Sequence, residues 1–255
     1  MSISNLQVRV YATRLEMGGE AAFCVQEKIG ELLKQQPSVN IVFAAAPSQN
    51  EFLRALGQAP VEWSRIRAFH MDEYIGLPRN AVQGFGNFLR ERLFDKVPFL
   101  SVHYIDGGAP DRQKECDRYA SLLEQYPPDI ICMGIGENGH IAFNDPPVAD
   151  FTDPYAVKVV RLDLACRQQQ VNDGCFSELR LVPTHAITLT VPALMSGRFI
   201  YCVVPGKLKA RAVFNVLNRE IGEDYPASIL RNHLQAVLFL DASSAGVEKV
   251  HITDE

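Results

Sequence analysis

Short apolar segments alternate with amphipathic helical segments along most of this chain. The segment 129–133, DIICM, ends in four consecutive apolar side chains and lacks the polar alternation of a strand that faces water on one side. Such a run is typical of a strand whose two faces are both covered by helices. It follows a long helical segment, 111–126, which Pro127 and Pro128 end. This order predicts a Rossmann-like α/β fold, a doubly wound and mostly parallel sheet with helices on both faces.

The alternation continues on both sides of this pair of elements. Because α/β folds of this length commonly form one domain, we predict a single domain over residues 1–255. The longest stretch without a periodic pattern, 144–183, is polar and turn-rich, and we predict that it acts as a lid over a binding site. Further strands are predicted at 39–44, 66–69, 102–105, 186–190, 199–204 and 236–240, and further helices at 19–36, 48–56, 87–94, 192–195 and 208–218.

Charge and cysteine usage exclude several classes of function. The formal net charge is -5 and no run of Lys and Arg occurs, so nothing suggests nucleic-acid binding. No apolar stretch reaches membrane-spanning length, and the first residues lack the pattern of a signal peptide. The six cysteines form no C-x-x-C pair and several lie in apolar runs, which indicates reduced thiols. We expect a cytoplasmic protein that contacts neither nucleic acid nor membrane.

Three loops are candidate sites, because ligands of open α/β sheets bind outside the carboxyl ends of the strands. These loops follow Phe43, Phe69 and Met133. In the first loop, Ser48 and Glu51 have the spacing of a capping box at the start of a helix. A helix that starts after a strand also offers free N–H groups to an anion, so both interpretations remain open.

The second loop carries two adjacent carboxylates, Asp72 and Glu73. Adjacent side chains of an extended segment point in opposite directions, so one can face a cleft while the other serves the scaffold. A carboxylate in a cleft can act as the general base for a C–H bond beside a carbonyl or an imine. Two acidic residues in a loop are more often simply solvated, and spacing alone does not choose between these interpretations.

The third loop, GIGENGHIAF at 134–143, combines three glycines with His140, and Asn138 and Asp145 lie close to it in sequence. A neutral imidazole exchanges protons near pH 7, and a partner on its second nitrogen fixes its tautomer. A structural loop histidine fits the same pattern. No spacing of His, Cys and Asp indicates a metal site, so we expect none.

A fourth candidate is Lys209, in the first turn of a predicted helix that follows Gly206. A cation at a helix N-terminus opposes the helix dipole. The position is easier to explain if an anion binds beside it, although an ordinary surface lysine is the simpler alternative.

Taken together, these segments resemble the glucosamine-6-phosphate isomerase/deaminase family, whose wider superfamily includes 6-phosphogluconolactonase. The resemblance extends from about Val39 to Leu240, and its most specific marks are MDEYIGL and GIGENGHIAFNDPP. The segments VPTHAITLTVPAL, GKLKA and PASIL support it. The lactonase branch typically carries Asp-Glu-Arg and a GHTASLFP-like stretch. This chain has DEY and GHIAFNDPP at these places, as the deaminase branch does.

The resemblance implies conversion of glucosamine 6-phosphate to fructose 6-phosphate and ammonia, without a cofactor. Asp72 falls on the base that moves the C2 proton toward C1. His140 falls on the residue that assists opening of the pyranose ring. Asn138 and Asp145 fall on the two acidic helpers of that histidine.

The resemblance also implies contacts to a phosphorylated amino sugar. Lys209 falls on a phosphate-binding lysine, and Ser48 on a hydroxyl group of the phosphate loop. The other candidate substrate-binding residues are Ala46, Pro47, Glu73, Gly136, Gly139 and Arg167.

The chain departs from the family at several positions. The family usually has Asp where Asn138 stands, Glu where Asp145 stands, and Thr-Gly-Gly-Thr where this chain has AAPS. A further phosphate-binding arginine, usual before an aromatic pair, has only Arg167 as a nearby candidate. Alternatives therefore stay open: another hexosamine phosphate such as galactosamine 6-phosphate, hydrolysis of a sugar lactone, or a sensor that binds sugar phosphates without turnover. Assembly into a homo-oligomer is also left open.

Overall fold

The structure is a computed structural model that describes residues 5–247. Residues 1–4 and 248–255, which the predicted domain includes, lie outside the described residues. The strands are β1 (Gln7–Tyr11), β2 (Val39–Phe43), β3 (Ile66–His70), β4 (Asp72–Tyr74), β5 (Ser101–His103), β6 (Ile130–Met133), β7 (Val157–Arg161), β8 (His185–Leu189), β9 (Phe199–Val204) and β10 (Ala236–Asp241). The α-helices are α1 (Arg14–Leu33), α2 (Asn50–Gly57), α3 (Phe85–Leu89), α4 (Arg112–Gln125), α5 (Leu164–Asn172), α6 (Val191–Met195) and α7 (Ala210–Asn218).

Seven strands form the main sheet, in the order β1-β10-β9-β6-β2-β3-β5. Every pairing in it is parallel. The predicted α/β fold with a mostly parallel sheet is therefore confirmed. Because β9, β6, β2 and β3 are neighbours, the loops at their carboxyl ends meet at one edge of the sheet.

The central strand β6 shows why these strands are apolar throughout. Its residues Ile130 and Cys132 enter an apolar core that also contains buried residues of α1 and α2. The alternate residues Ile131 and Met133 enter a second core with residues of α4 and α7. Side chains of a strand alternate between its faces, so a sheet covered on both faces needs apolar residues at every position.

The start of α2 differs from the prediction. Ser48 does not cap a helix, because a 3₁₀ turn at Pro47–Gln49 precedes α2 and neither element has a side-chain cap. Glu51 instead forms an ion pair with Arg14, at 3.0 Å. The capping box of this region lies at the start of α1, where Thr13 and Glu16 bond to each other's backbone N–H. The same four-residue spacing thus occurs twice, and tertiary contacts decide which copy caps a helix.

The segment 144–183, predicted to be irregular, contains β7 and α5. In β7 the residues Val157 and Val160 are buried while Arg161 is exposed, and the strand pairs in antiparallel fashion with β8. β8 also pairs with β4, so these strands form a second sheet of three. Lys158 interrupts its valines and Arg161 follows them, so a search for apolar runs does not detect this short strand.

The described residues also bear on the expectations about membrane spans and cysteines. Within residues 5–247 no helix is both long and apolar enough to cross a membrane. All six cysteines have free thiols, and Cys116, Cys132, Cys166 and Cys202 are buried.

Candidate active site

An open pocket of about 510 Å³ lies at the carboxyl ends of β2, β6 and β9, beside β4. Ligand sites are commonly pockets of this kind, in which a few polar groups converge on one space. Its polar lining combines a carboxylate, an imidazole, an ammonium group, a hydroxyl group and three amides. The lining residues are Ala44, Ala45, Ala46, Ser48, Gln49, Met71, Asp72, Phe85, Gly134, Ile135, Gly136, His140, Ala142, Phe143, Gln169, Gln170 and Lys209.

Asp72 begins β4, where it pairs with Thr188 of β8 and lines the pocket. Its side chain is only 6% exposed. Among residues 5–247, no group donates a hydrogen bond to its carboxylate, and no cation lies within ion-pair distance. Burial, and then the charge of Glu73, raise the pKa of Asp72 well above its ordinary value of 3.8. A buried carboxylate without a partner that faces a pocket is a candidate general base.

Glu73 points away from the pocket, as alternation along an extended segment requires. Its carboxylate accepts hydrogen bonds from the backbone N–H groups of Tyr74, Phe85 and Gly86, at 2.9, 3.0 and 2.9 Å. Burial raises the pKa of Glu73, although these three hydrogen bonds oppose the shift. Glu73 therefore fastens the start of α3 to β4, and the structure does not bring it into the pocket.

His70 holds the backbone of the segment that carries Asp72 and Glu73. Its Nε2 accepts a hydrogen bond from the Ile105 N–H at 2.9 Å, so Nδ1 carries the proton and donates to the Asp72 carbonyl oxygen at 2.8 Å. Burial lowers the pKa of His70 to about 4, which keeps the ring neutral. This arrangement holds the backbone of Asp72 in place.

His140 is the centre of a hydrogen-bonded group of three side chains. Its Nδ1 lies 2.7 Å from Oδ1 of Asn138 and 2.9 Å from Oδ1 of Asp145. The Asn138 amide is oriented by two further bonds, since its Oδ1 accepts from the His140 backbone N–H and its Nδ2 donates to Asp145 at 2.8 Å. Nδ1–H therefore faces two acceptors, which leaves Nε2 as the nitrogen that can take a proton.

Asp145 supplies the negative charge of this group. It is buried. Burial alone would raise the pKa of Asp145, but the charge of His140 and hydrogen bonds from His140, Asn138 and Cys166 lower it below the ordinary value of 3.8. Because the pKa is lowered on folding, ionised Asp145 stabilises the fold above about pH 3.8, and this contribution fades as the pH falls further.

The ring of His140 packs directly on Gly136. A Cβ at Gly136 would lie 2.2 Å from Cε1 of the ring, so only glycine admits the imidazole here. Nearby, Ala142 has a φ of 49°, which is unusual for a residue with a side chain. Strained backbone of this kind clusters at functional sites.

Lys209 enters the pocket from the 3₁₀ turn that precedes α7. It is only 7% exposed. Among residues 5–247, no carboxylate lies within 4.0 Å of its ammonium group. Burial lowers the pKa of Lys209, while the charges of Asp173 and Glu137 act in the opposite direction. A buried lysine without a close carboxylate is well placed for a ligand's anion.

The family of the chain follows from this sequence and fold together. The family model described as glucosamine-6-phosphate isomerases/6-phosphogluconolactonase matches residues 13–161, which is more than half of the chain. The chain belongs to this family.

Curated relatives within the family agree with this assignment. A glucosamine-6-phosphate deaminase of an Exiguobacterium species is 38% identical over 188 residues, which cover 74% of this chain and 72% of that protein. A glucosamine-6-phosphate deaminase of Bacillus cereus is 33% identical over 227 residues, which cover 89% of this chain and 85% of the relative.

Solved structures of the superfamily share the fold. A monomeric glucosamine-6-phosphate deaminase superposes with a TM-score of 0.86 at 28% identity, over 95% of this chain and 100% of that one. A 6-phosphogluconolactonase from Thermotoga maritima superposes with a TM-score of 0.76 at 21% identity, over 92% of this chain and 99% of the other. The second likeness shows the common fold alone.

The pocket of this family member contains some of the predicted binding residues and leaves out others. Ser48, Ala46 and Gly136 line it, whereas Pro47 and Gly139 do not. Gly139 has a φ of 90°, and its carbonyl oxygen accepts a hydrogen bond from the Ala227 N–H at 2.9 Å. Gly139 therefore shapes the loop that carries His140, and Pro47 begins the 3₁₀ turn that carries Ser48.

Arg167 also lies outside the pocket lining. Its guanidinium donates to the carbonyl oxygens of Leu179 and Val182, at 2.7 and 2.8 Å. These bonds tie α5 to the turn that follows it. Within residues 5–247, Lys209 is consequently the one lysine or arginine that lines the pocket.

The sequence did not lead us to predict two of the pocket residues, Gln169 and Gln170. Both are on α5, inside the segment predicted to be irregular. Gln169 is fixed, since its Oε1 accepts from the Glu137 N–H at 2.9 Å and its Nε2 donates to Asp173 at 3.3 Å. The sequence offers one signal for these residues, the three adjacent glutamines at 168–170. Only if this segment is recognised as a helix can two of the three be predicted to face the protein interior.

Proposed function

We propose that this protein converts glucosamine 6-phosphate and water to fructose 6-phosphate and ammonia. The observation that carries the proposal is the joint placement of Asp72, His140 and Lys209 around one pocket. An unpaired base, an imidazole with a carboxylate behind it, and an unpaired cation are the three groups that this reaction needs. The names of the curated relatives support the same choice.

The phosphate group lies against Lys209 in this proposal. The ammonium group supplies a charge-assisted hydrogen bond, which is stronger than a neutral one. The Ser48 hydroxyl lies in the same pocket and provides a further polar contact. Gln170, which is buried and lines the pocket from α5, faces the bound sugar.

His140 opens the pyranose ring. Nε2 takes the proton of the anomeric hydroxyl group, and the imidazolium then protonates the ring oxygen as the C1–O bond breaks. Asp145 stabilises the imidazolium that forms between these two proton transfers, because its carboxylate oxygen lies 2.9 Å from Nδ1. The product is the open-chain aldehyde.

Asp72 carries out the isomerisation. Its carboxylate removes the C2 proton of the open-chain sugar and returns it to C1, while a second proton passes from the amino group to the C1 oxygen. The C1=O double bond thereby becomes a hydroxyl group, and a C2=N double bond forms. Water then adds at C2 and ammonia leaves, so that a ketone remains. Positioned general bases of this kind contribute factors of about 10²–10⁴ to the rate.

Three further statements belong to the proposal. The enzyme works in the cytoplasm, which the six free thiols support. The segment 144–183 covers the bound sugar, which the position of α5 on the pocket wall supports. The described residues 5–247 belong to one domain in this proposal.

The experiment that tests the proposal offers purified protein a panel of substrates and measures both ammonia and keto-sugar. We expect both products from glucosamine 6-phosphate, and far less of either from unphosphorylated glucosamine. Hydrolysis of 6-phosphogluconolactone without ammonia from any amino sugar phosphate would contradict the proposal. A higher melting temperature with sugar phosphates but no turnover would indicate a sensor instead.

The Lys209→Ala variant tests the phosphate contact. A charge-assisted hydrogen bond is worth about 1.5–3 kcal/mol, so we expect kcat/KM for glucosamine 6-phosphate to fall by about ten- to a hundred-fold. The fold should persist, because no carboxylate within residues 5–247 forms an ion pair with Lys209. Lys207→Ala is the matched control, since Lys207 is an exposed lysine in the same turn. Equal kinetic constants in the two variants would place the phosphate elsewhere.

A further inference from the structure

Three side chains of different chemistry meet behind the pocket: His140, Asp145 and Cys166. One ligating atom of each, a ring nitrogen, a carboxylate oxygen and a sulfur, lies within 4.8 Å of the other two. All three residues are buried. We propose that this cluster binds a zinc ion, and that zinc bound there blocks the enzyme.

The set of donor atoms is one that zinc prefers. Zinc in proteins is bound by histidine nitrogen, cysteine sulfur and carboxylate oxygen, at about 2.0–2.3 Å and in tetrahedral geometry. Such bond lengths place neighbouring ligand atoms roughly 3.5 Å apart. Nδ1 of His140 lies 2.9 Å from Oδ1 of Asp145, so the carboxylate that carries Oδ2 is already beside the imidazole. Calcium and magnesium prefer oxygen ligands alone, so the sulfur and nitrogen select against them.

An independent observation at Asp145 points to a missing partner. Its Oδ2 is buried, and no nitrogen or oxygen donor within residues 5–247 gives it a hydrogen bond. Buried carboxylate oxygens nearly always have such a donor. The other oxygen, Oδ1, already serves Asn138 and His140. The Cys166 thiol also hydrogen-bonds to this carboxylate, so a cation that replaced the thiol proton would find the sulfur and a carboxylate oxygen side by side.

The charges of the cluster also balance around a divalent ion. A carboxylate, a thiolate and a neutral imidazole carry two negative charges, which Zn²⁺ cancels in a buried site. On binding, the Cys166 S–H bond breaks, a Zn–S bond forms and the proton leaves to solvent. The ring proton of His140 moves from Nδ1 to Nε2, and a water fills the fourth position. Nothing is oxidised or reduced.

Binding at Nδ1 would remove His140 from ring opening. The metal replaces the hydrogen bonds that Asn138 and Asp145 make with this nitrogen, and it leaves the proton on Nε2, which must take one in turnover. The inhibition therefore rests on the proposed function, whereas zinc binding itself does not.

The test titrates zinc chloride into chelator-treated protein by calorimetry. We expect one zinc ion per wild-type chain. Since loss of even an indirect metal partner costs 10–100-fold in affinity, Cys166→Ala should weaken this binding by at least about tenfold. Cys175→Ala is the matched control, because Cys175 is a half-buried free thiol just after the same helix. Cobalt should give a thiolate charge-transfer band in wild type and Cys175→Ala, and none in Cys166→Ala.

Two results would overturn the zinc site: no stoichiometric binding by wild type, or unchanged zinc affinity in both Cys166→Ala and His140→Ala. If Cys166→Ala fails to fold, Cys166→Ser replaces it, since serine also removes the sulfur. Zinc binding that depends on Cys166, in a protein without turnover of any sugar phosphate, would uphold the site and contradict the proposed function. Turnover of glucosamine 6-phosphate that bound zinc does not inhibit would support the proposed function and contradict the proposed inhibition.

Discussion

The Asp72→Asn variant should lose catalytic activity by a factor on the order of 10³, in line with the contribution of a positioned general base. Asparagine has nearly the same shape as aspartate, but it cannot accept the C2 proton. The loss should appear in kcat more than in KM, because Asp72 acts on the C2 proton and not on the phosphate. Steady-state kinetics with glucosamine 6-phosphate, together with exchange of the C2 proton with deuterated solvent, measure this step directly.

The same variant should be at least as stable as the wild type near pH 7. Burial and Glu73 raise the pKa of Asp72, so the folded protein favours the neutral form more than the unfolded chain does. Its stabilising contribution is then present below the unfolded pKa and is lost as the pH rises through the folded pKa. A neutral asparagine removes this loss. A melting temperature that stays level or rises while activity collapses separates a catalytic role from a structural one.

The dependence of kcat/KM on pH in the wild type should also reflect the raised pKa of Asp72. Asp72 must be ionised to act as a base, so kcat/KM should fall as the pH drops through its raised pKa. This acidic limb should lie clearly above the pH range of an ordinary aspartate. An acidic limb at the ordinary aspartate pKa would contradict the assignment of Asp72.

Glu73→Gln is the matched control for Asp72→Asn. It changes the adjacent carboxylate, which serves three backbone N–H groups and not the pocket. Loss of these charge-assisted bonds should lower the free energy of unfolding by about 1–3 kcal/mol, with much less effect on kcat of the folded protein. If Glu73→Gln instead matched Asp72→Asn in kcat, the base would have been assigned to the wrong residue of the pair.

The Asp145→Asn variant should slow turnover of the cyclic substrate by a factor on the order of 10²–10⁴. In a Ser-His-Asp triad the matching Asp-to-Asn change costs a factor of about 10⁴, because the histidine adopts the wrong tautomer. Here the Asn amide would also bring an N–H₂ group to a buried carboxylate position, since Asp145 is only 1% exposed. The charge that stabilises the imidazolium is lost in either orientation.

An acyclic analogue that can still lose its C2 proton distinguishes the roles of the two carboxylates. Asp145→Asn should be slow on the cyclic substrate and near wild type on the analogue, because His140 and Asp145 act on ring opening. Asp72→Asn should be slow on both. Equal losses of Asp145→Asn on both substrates would mean that Asp145 maintains the whole pocket and has no separate role in ring opening.

The parallel sheet could be predicted from local patterns. The run DIICM indicated a strand covered on both faces, and Ile130 and Ile131 indeed enter different cores. Asp72 and Glu73 illustrate the same rule at the pocket, since adjacent residues of β4 point to opposite sides. These features depend on the period of the side chains along one element, and that period is present in the sequence itself.

Hydrophobic patterns did not predict short elements whose polar residues contact other parts of the fold. β7 and α5 went unrecognised because lysine, arginine and glutamine interrupt their apolar positions. Gln169 and Gln170 are polar because they line a pocket, and Arg167 because it binds carbonyl oxygens of the following turn. In each case the partner that explains the residue is visible only in three dimensions.

The sequence alone thus determined the α/β class and the family resemblance, and it supplied the predictions for the chemical groups of the site. The tertiary structure decided how these groups meet. It showed that Asn138 and Asp145 both lie within hydrogen-bond distance of His140 Nδ1, and that Cys166 lies beside them although it stands 21 positions after Asp145. The physical reason is sequence separation. Hydrophobic periodicity depends on residues that are close in sequence on one strand or helix. Hydrogen bonds and metal sites join residues that are far apart in sequence and that only the packing of the whole chain brings together.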